Sequence, residues 1–326
     1  MELSKVTQEE LQELSEIDSY GKWLKIERYQ PEARYIPEAT VTKTANIPLP
    51  LRSQPPVPPS RRLYHVTSAD GKTLLIKTDD ISRFDRECEI AEFADRTFKN
   101  DVYVSYPVEV GPYANESRVY SIYVFFNGDN LARMLPTLYM TQQLELGVDA
   151  GKMLKKFHSV KPTAQAVPRK PKEDIFLLLT KLEEKGIDYT GFKEAAEFMK
   201  KNFDITDGRP VNALHGDFSA NTLFIDKRLN VGMFPLEDPH WGDPIKDLIF
   251  LQESYNRPFM KGVLKGWLDG TPPSDFFTLL AYYSTERALS DINTAVTEEE
   301  KAIALIRAQK LADDLNNYQV VIPSWY

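Results

Sequence analysis

The chain has 326 residues, a single cysteine (Cys88), only four histidines and no long apolar run. One thiol excludes an internal disulfide framework and a multi-cysteine zinc site, and it fits a reducing, intracellular setting. His65, His158, His215 and His240 are scattered, with no His-x-x-x-His pair to hold a metal on one helix face. No stretch reaches the roughly 18 uninterrupted apolar residues of a membrane span. Residues 1–10 mix Glu2, Lys5, Glu9 and Glu10 with no apolar block, so no signal peptide is read there. Basic charge is also scarce: 40 Lys+Arg face 48 Asp+Glu, a formal charge of −8. Nucleic acid binding needs a basic face, so neither nucleic acid nor a membrane is an expected partner. A cytoplasmic location is the expectation.

What is present reads as a globular protein of two parts. Apolar residues make up 42% of the chain, enough to bury a core. Thr7 and Glu10 form a capping-box pattern, and Leu11, Leu14 and Ile17 follow along one helix face. A strand is expected near Trp23–Tyr29. Residues 47–60 hold six prolines and read as a stiff extended connector, since proline cannot donate to a ladder. Residues 62–66 and 73–78 flank Ala69-Asp70-Gly71, a hairpin signal. A helix over 84–98 and strands over 103–110 and 119–126 complete a sheet-rich part. After Asn127-Gly128-Asp129 the periodicity turns helical. Helices are expected near 144–158, 173–185, 189–202, 245–256, 274–292 and 298–316, with a short β-like region over 213–234. The expected division is therefore residues 1–126, carrying an N-terminal extension and the proline connector, and residues 127–326.

The densest polar constellation is Leu214-His215-Gly216-Asp217-Phe218-Ser219-Ala220-Asn221. Asp238 follows in Glu237-Asp238-Pro239-His240-Trp241-Gly242-Asp243-Pro244, and Asp247 opens the next helix. Two carboxylates and an amide oxygen are hard ligands or bases, the set that magnesium–phosphate chemistry uses. Each has a plainer reading as a turn or capping residue. Cys88 lies between Glu87 and Glu89, which raises a thiol pKa and argues against reactivity.

His-Gly-Asp followed by Asn, then Gly-Asp-Pro-x-x-Asp-Leu, resembles the aminoglycoside phosphotransferase and choline kinase group of protein-kinase-like enzymes. The helix Leu146-Gly147 to Gly151, Leu154 and His158 also resembles that group's helix before the catalytic loop. The resemblance implies an α+β, two-lobed kinase-like fold. It comprises a small antiparallel-sheet N-terminal lobe and a larger helical C-terminal lobe. It implies an ATP- and Mg2+-dependent transfer of phosphate to the hydroxyl of a small molecule: an aminoglycoside, a choline-like amino alcohol or a sugar. Asp217 would be the catalytic base, with Asn221 and Asp238 holding magnesium and Glu237 the alternative to Asp238. Lys77 would meet the α- and β-phosphates, paired with Glu87 or else Glu89. Tyr123, Val124, Phe125 and Phe126 would form the hinge beside adenine, and Asp247 would brace the catalytic loop.

The chain departs from the group's pattern. Asn221 lies four rather than five positions after Asp217, which motivates a second reading as a catalytically degenerate protein that binds nucleotide or a protein partner. No glycine-rich loop precedes Lys77, so Ser60, Arg61 or Arg62 are the side chains expected to substitute on phosphate. From residue 241 on, twelve acidic residues face eight basic ones, a balance that suits a cationic acceptor. Trp241, Tyr255, Trp267, Tyr282 and Tyr283 read either as core or as a cation–π cage.

Overall fold

The computed structural model describes residues 2–17, 25–30, 60–99, 101, 103–124, 128–162, 175–233 and 240–326. The proline connector, apart from Ser60, lies outside the described residues, as do Phe125, Phe126, Glu237 and Asp238. The described residues form two compact units. One takes those within 1–35, 52–137 and 220–239; the other takes those within 138–219 and 240–326.

The first unit begins with β1 (Glu2–Ser4) and α1 (Gln8–Ser15). Thr7 caps α1: Glu10 N donates to its hydroxyl and Thr7 N donates to the Glu10 carboxylate, satisfying two otherwise orphaned helix N–H groups. Then come β2 (Lys25–Gln30), β3 (Arg62–Thr67), β4 (Thr73–Asp80), α2 (Phe84–Phe98), β5 (Pro107–Tyr113) and β6 (Arg118–Val124). Six strands pair antiparallel in the order β1-β2-β3-β4-β6-β5. Gly71, with φ +79°, closes the β3–β4 hairpin in the left-handed region. Strand β4 is central and six of its eight residues are buried. Its period of two divides the core. Leu74 and Ile76 pack with Tyr64, Val66, Ile122, Leu14 and Ile17 on one face. Leu75 packs with Leu63 and Tyr123 on the other. Strand β1 was not anticipated from the sequence; three residues are too few to show alternation. Short strands β7 (Asp129–Asn130), β9 (Leu223–Ile225) and β10 (Val231–Met233) form a second sheet in this unit, next to α3 (Leu131–Met134).

The second unit is mainly helical. It contains α4 (Met140–Phe157), α5 (Ile175–Glu184), α6 (Phe192–Lys201), α7 (Ile245–Leu248), α8 (Arg257–Leu268), α9 (Phe276–Thr294) and α10 (Glu298–Asp314). Strands β8 (Asn212–Leu214) and β11 (His240–Gly242) pair antiparallel. The most intimate contact joins α4 and α8. Each carries two glycines four residues apart: Gly147 and Gly151 on α4, Gly262 and Gly266 on α8. A methyl group on Gly147 would lie 2.2 Å from the Phe259 carbonyl oxygen, and one on Gly266 would lie 2.1 Å from that of Val148. Only hydrogen fits there, so the two backbones pack directly against each other. The helix expected over 245–256 is shorter. It gives way to a 3-10 segment over Ile249–Ser254 and stops at Tyr255, whose φ is +50°. Asn256 then caps α8 by accepting from Phe259 N at 2.9 Å, with Pro258 in the first turn where no N–H is needed.

Candidate active site

Strand register sets the first part of the site. Lys77 on β4 lies opposite Ser121 on β6. Helix α2 buries Glu87, Ile90, Ala94 and Phe98, a stripe at helical spacing, so Glu87 occupies a core-facing position. Lys77 Nζ lies 2.8 Å from Glu87 Oε2, with both side chains almost wholly buried. Ser121 Oγ donates to the same carboxylate oxygen at 2.7 Å. Glu89 instead pairs with Arg86 on the exposed face, at 2.8 Å. The ammonium carries three N–H donors, more than the ion pair with Glu87 engages. Burial alone would lower the lysine pKa; the Tyr123 hydroxyl and the Glu87 carboxylate outweigh it and hold Lys77 above the ordinary range. Tyr123 covers the ammonium, 5.5 Å from Nζ to the ring centroid. Val124 ends the strand, and its carbonyl accepts from Ser105 Oγ at 2.7 Å.

The second part is the loop after β8. Asp247, on α7 and fully buried, accepts from three donors. His215 N reaches Oδ2 and Gly216 N reaches Oδ1, each at 2.7 Å. His158, at the end of α4, reaches Oδ2 at 2.7 Å through Nε2. The ring's tautomer follows from its other neighbour. Trp267 Nε1–H can only donate, and it meets His158 Nδ1 at 2.8 Å. His158 Nδ1 therefore accepts, and the proton on Nε2 is given to Asp247. Gly216, at φ +85°, makes the turn that brings two successive N–H groups onto one carboxylate. Asp217 follows, partly exposed, with its N–H 3.4 Å from His215 Nδ1. His215 thus supports the loop. Asp243 is fixed separately: Arg209 Nε donates to it at 2.6 Å, Tyr283 Oη at 3.1 Å and Ile245 N at 3.1 Å.

Asn221 belongs to the first unit, on the turn Ala220–Thr222. Its carbonyl accepts from Asn130 Nδ2 at 2.9 Å. Asn130 Oδ1 is buried with no hydrogen-bond partner among the described residues. That uncompensated hard oxygen beside Asn221 fits a cation site, and the amide and carboxylate donors of Asn221 and Asp238 suit magnesium.

One expectation is corrected. Ser60 and Arg61 do not stand in for a phosphate loop: Ser60 Oγ donates to Asp79 Oδ1 at 2.8 Å and Arg61 Nε to Asp79 Oδ2 at 3.0 Å. Arg62 lies 3.6 Å from Glu10 and 3.8 Å from Glu13. Asp79 is buried, and these two donors satisfy its carboxylate. Among Trp267, Tyr282 and Tyr283, which read either as core or as a cage, the core reading holds for the tyrosines. Trp267 is committed to His158. Cys88 behaves as expected: burial, then Asp85, Glu92 and Glu87, push its thiol pKa up.

The His158–Trp267 link was not foreseen. Its partners are 109 residues apart. The paired four-residue glycine spacings at 147/151 and 262/266 were the available signal. They dock α4 on α8, and that docking brings His158 at one helix end to Trp267 at the other.

Residues 59–277 match the phosphotransferase enzyme family, APH. No curated protein matches the chain. Among solved structures, the GDP and kanamycin complex of APH(2")-IIIa superposes with a TM-score of 0.63 at 11% identity, over 94% of this chain and 99% of that one. The streptomycin–ATP–APH(2")-IIa ternary complex gives 0.53 at 18% identity, over 76% and 87%. Amicoumacin kinase hAmiN, in complex with AMP-PNP, Ca2+ and Ami, gives 0.52 at 13% identity, over 82% and 88%. These likenesses establish the kinase-like α+β fold, with its small antiparallel-sheet lobe and helical lobe. With two thirds of its length matched, the chain belongs to the phosphotransferase enzyme family.

Proposed function

We propose that this protein is a small-molecule kinase, transferring the γ-phosphoryl group of ATP to a substrate hydroxyl. The observation that carries the reading is the buried Lys77–Glu87 pair. A buried ion pair contributes little net stability, because desolvation offsets attraction. A lysine held charged in a fixed position, with N–H groups to spare, does suit phosphate oxygens.

Lys77 neutralises charge on the α- and β-phosphates, and Glu87 with Ser121 fixes the direction of its ammonium. Asp217 accepts the proton of the acceptor hydroxyl as that oxygen attacks the γ-phosphorus. The bond between the γ-phosphorus and the β–γ bridging oxygen breaks, and ADP departs with the bridging electron pair. Asp247, with His158 and Trp267 behind it, holds the backbone of the loop that aims Asp217. Asn221 and Asp238 would hold Mg2+, which would supply charge neutralisation on the phosphates. Tyr123 and Val124 at the strand end, with Phe125 and Phe126 next in the sequence, are the proposed hinge for adenine. ATP as donor implies a cytoplasmic reaction. No helix among the described residues is long and apolar enough to cross a membrane.

The family's range supports an alcohol acceptor of the aminoglycoside, amino alcohol or sugar type. The short Asp217–Asn221 spacing favours the second reading, a nucleotide binder without turnover. Phosphate transfer from ATP, followed by ADP release across an acceptor panel, separates the two. Turnover abolished by Asp217→Asn, with ATP affinity retained, is the result expected of the kinase. ATP binding without turnover on any acceptor is that of the degenerate protein.

A further inference from the structure

Asn130 breaks two local rules at once. It precedes α3 in an extended conformation, φ −61° and ψ 124°, the N-cap position from which an asparagine oxygen accepts the first helical N–H groups. Its side chain makes no such bond. Nδ2 donates instead to the Asn221 carbonyl, 91 positions along the chain, at 2.9 Å. The amide cannot be turned over, because Oδ1 would then face that carbonyl, acceptor against acceptor. Oδ1 is left buried with no hydrogen-bond partner among the described residues. A forgone cap and an unsatisfied buried acceptor each cost stability. Such local conflicts collect at functional sites, and the group that gains from this one is Asn221. Strand β7 pairs with β9 through Asn130 opposite Phe224, and the turn Ala220–Thr222 runs straight into β9. The backbone that carries Asn221 is thus tied twice, by the ladder after it and by the Asn130 amide at its own carbonyl.

We propose that Asn130 is a positioning residue for the divalent-cation site, acting through Asn221. The inference rests on the kinase reading, in which Asn221 holds the cation. The loop from Asp217 to Asn221 is one residue short of the family pattern, so its own backbone has less freedom to aim Asn221. The Asn130 amide sets that aim from outside the loop, across the β7–β9 pair. A residue behind a ligand fixes the ligand's orientation and so tunes affinity for the ion.

The test uses the full chain with Mn2+ as the probe, titrated alone and with saturating ATP and followed by electron paramagnetic resonance. The variants are Asn130→Ser, Asn130→Ala and Asn221→Ala. Serine restores a cap to α3 and removes the unsatisfied oxygen, so Asn130→Ser should keep the wild-type urea midpoint or exceed it. Its shorter side chain does not reach the Asn221 carbonyl, so Mn2+ affinity should fall about tenfold or more, and Asn130→Ala should show the same fall. In the Asn221→Ala background, Asn130→Ser should have little further effect. Mn2+ affinity unchanged in both Asn130 variants would overturn the inference, whatever their midpoints. So would an undiminished effect in the Asn221→Ala background, or no Mn2+ binding by the wild type. ATP binding that depends on Lys77, with Mn2+ affinity indifferent to Asn130, would sink this inference and leave the kinase reading standing. Asn130-dependent Mn2+ binding in a protein that does not bind ATP would do the reverse.

Discussion

Replacing Asp247 by asparagine tests the architecture of the catalytic loop. Three donors converge on this carboxylate: Gly216 N on Oδ1, and His215 N with His158 Nε2 on Oδ2. An asparagine has one acceptor oxygen and one NH2. Placed toward Gly216, the NH2 faces one N–H; turned the other way, it faces two. His158 cannot relieve the conflict by changing tautomer, because Trp267 Nε1–H already occupies Nδ1. At least one charge-assisted hydrogen bond is therefore lost, worth about 1.5–3 kcal/mol, and the survivors become neutral and weaker. The site is fully buried, so water does not compensate. The expected cost is about 2–4 kcal/mol, read as a lower urea midpoint at unchanged slope. Amide exchange at His215 and Gly216 should accelerate together. Trp267→Phe removes one neutral donor and should cost about 1 kcal/mol, while 15N shifts report a loosened His158 tautomer. An Asp247→Asn variant with wild-type midpoint and wild-type exchange at both amides would refute the geometry.

Other outcomes follow from the same structure. Gly147→Ala places a methyl against the Phe259 carbonyl and should cost about 1–3 kcal/mol or more, measured by thermal or urea unfolding. Lys77→Ala strands the Glu87 carboxylate and should destabilise by about 3–5 kcal/mol, whereas Lys77→Met with Glu87→Leu should recover much of that loss while still failing to bind ATP. Burial raises the pKa of Asp79, but hydrogen bonds from Ser60, the Asp80 N–H and Arg61 outweigh it and hold the pKa below the usual carboxylate range. A depressed folded pKa contributes stability above the ordinary carboxylate pKa of about 4, lost as pH falls through the lowered value. Asp79→Asn should therefore be less stable at pH 7 and show a shallower acid decline, measured by urea midpoints across pH.

Local signals were the legible ones. The Thr7–Glu10 box, the hairpin at Gly71 and the helix over 84–98 involve neighbours in sequence, and each is found in place. Choosing between Glu87 and Glu89 was harder, because burying a carboxylate contradicts hydropathy. The stripe of Ile90, Ala94 and Phe98 puts Glu87 inside and leaves Glu89 with Arg86. The fate of Ser60 and Arg61 was hidden because it depended on burial of Asp79, a property of the folded sheet. His158 looked like a packed helix residue. Its link to Trp267 exists only after four glycines bring two distant helices into backbone contact.

The central claim is nucleotide-dependent phosphotransfer, and the most direct measurement is ATP binding by calorimetry with and without magnesium, on the wild type and on Asp238→Ala. The account predicts magnesium-dependent binding that Asp238→Ala weakens. No binding in either condition would contradict it.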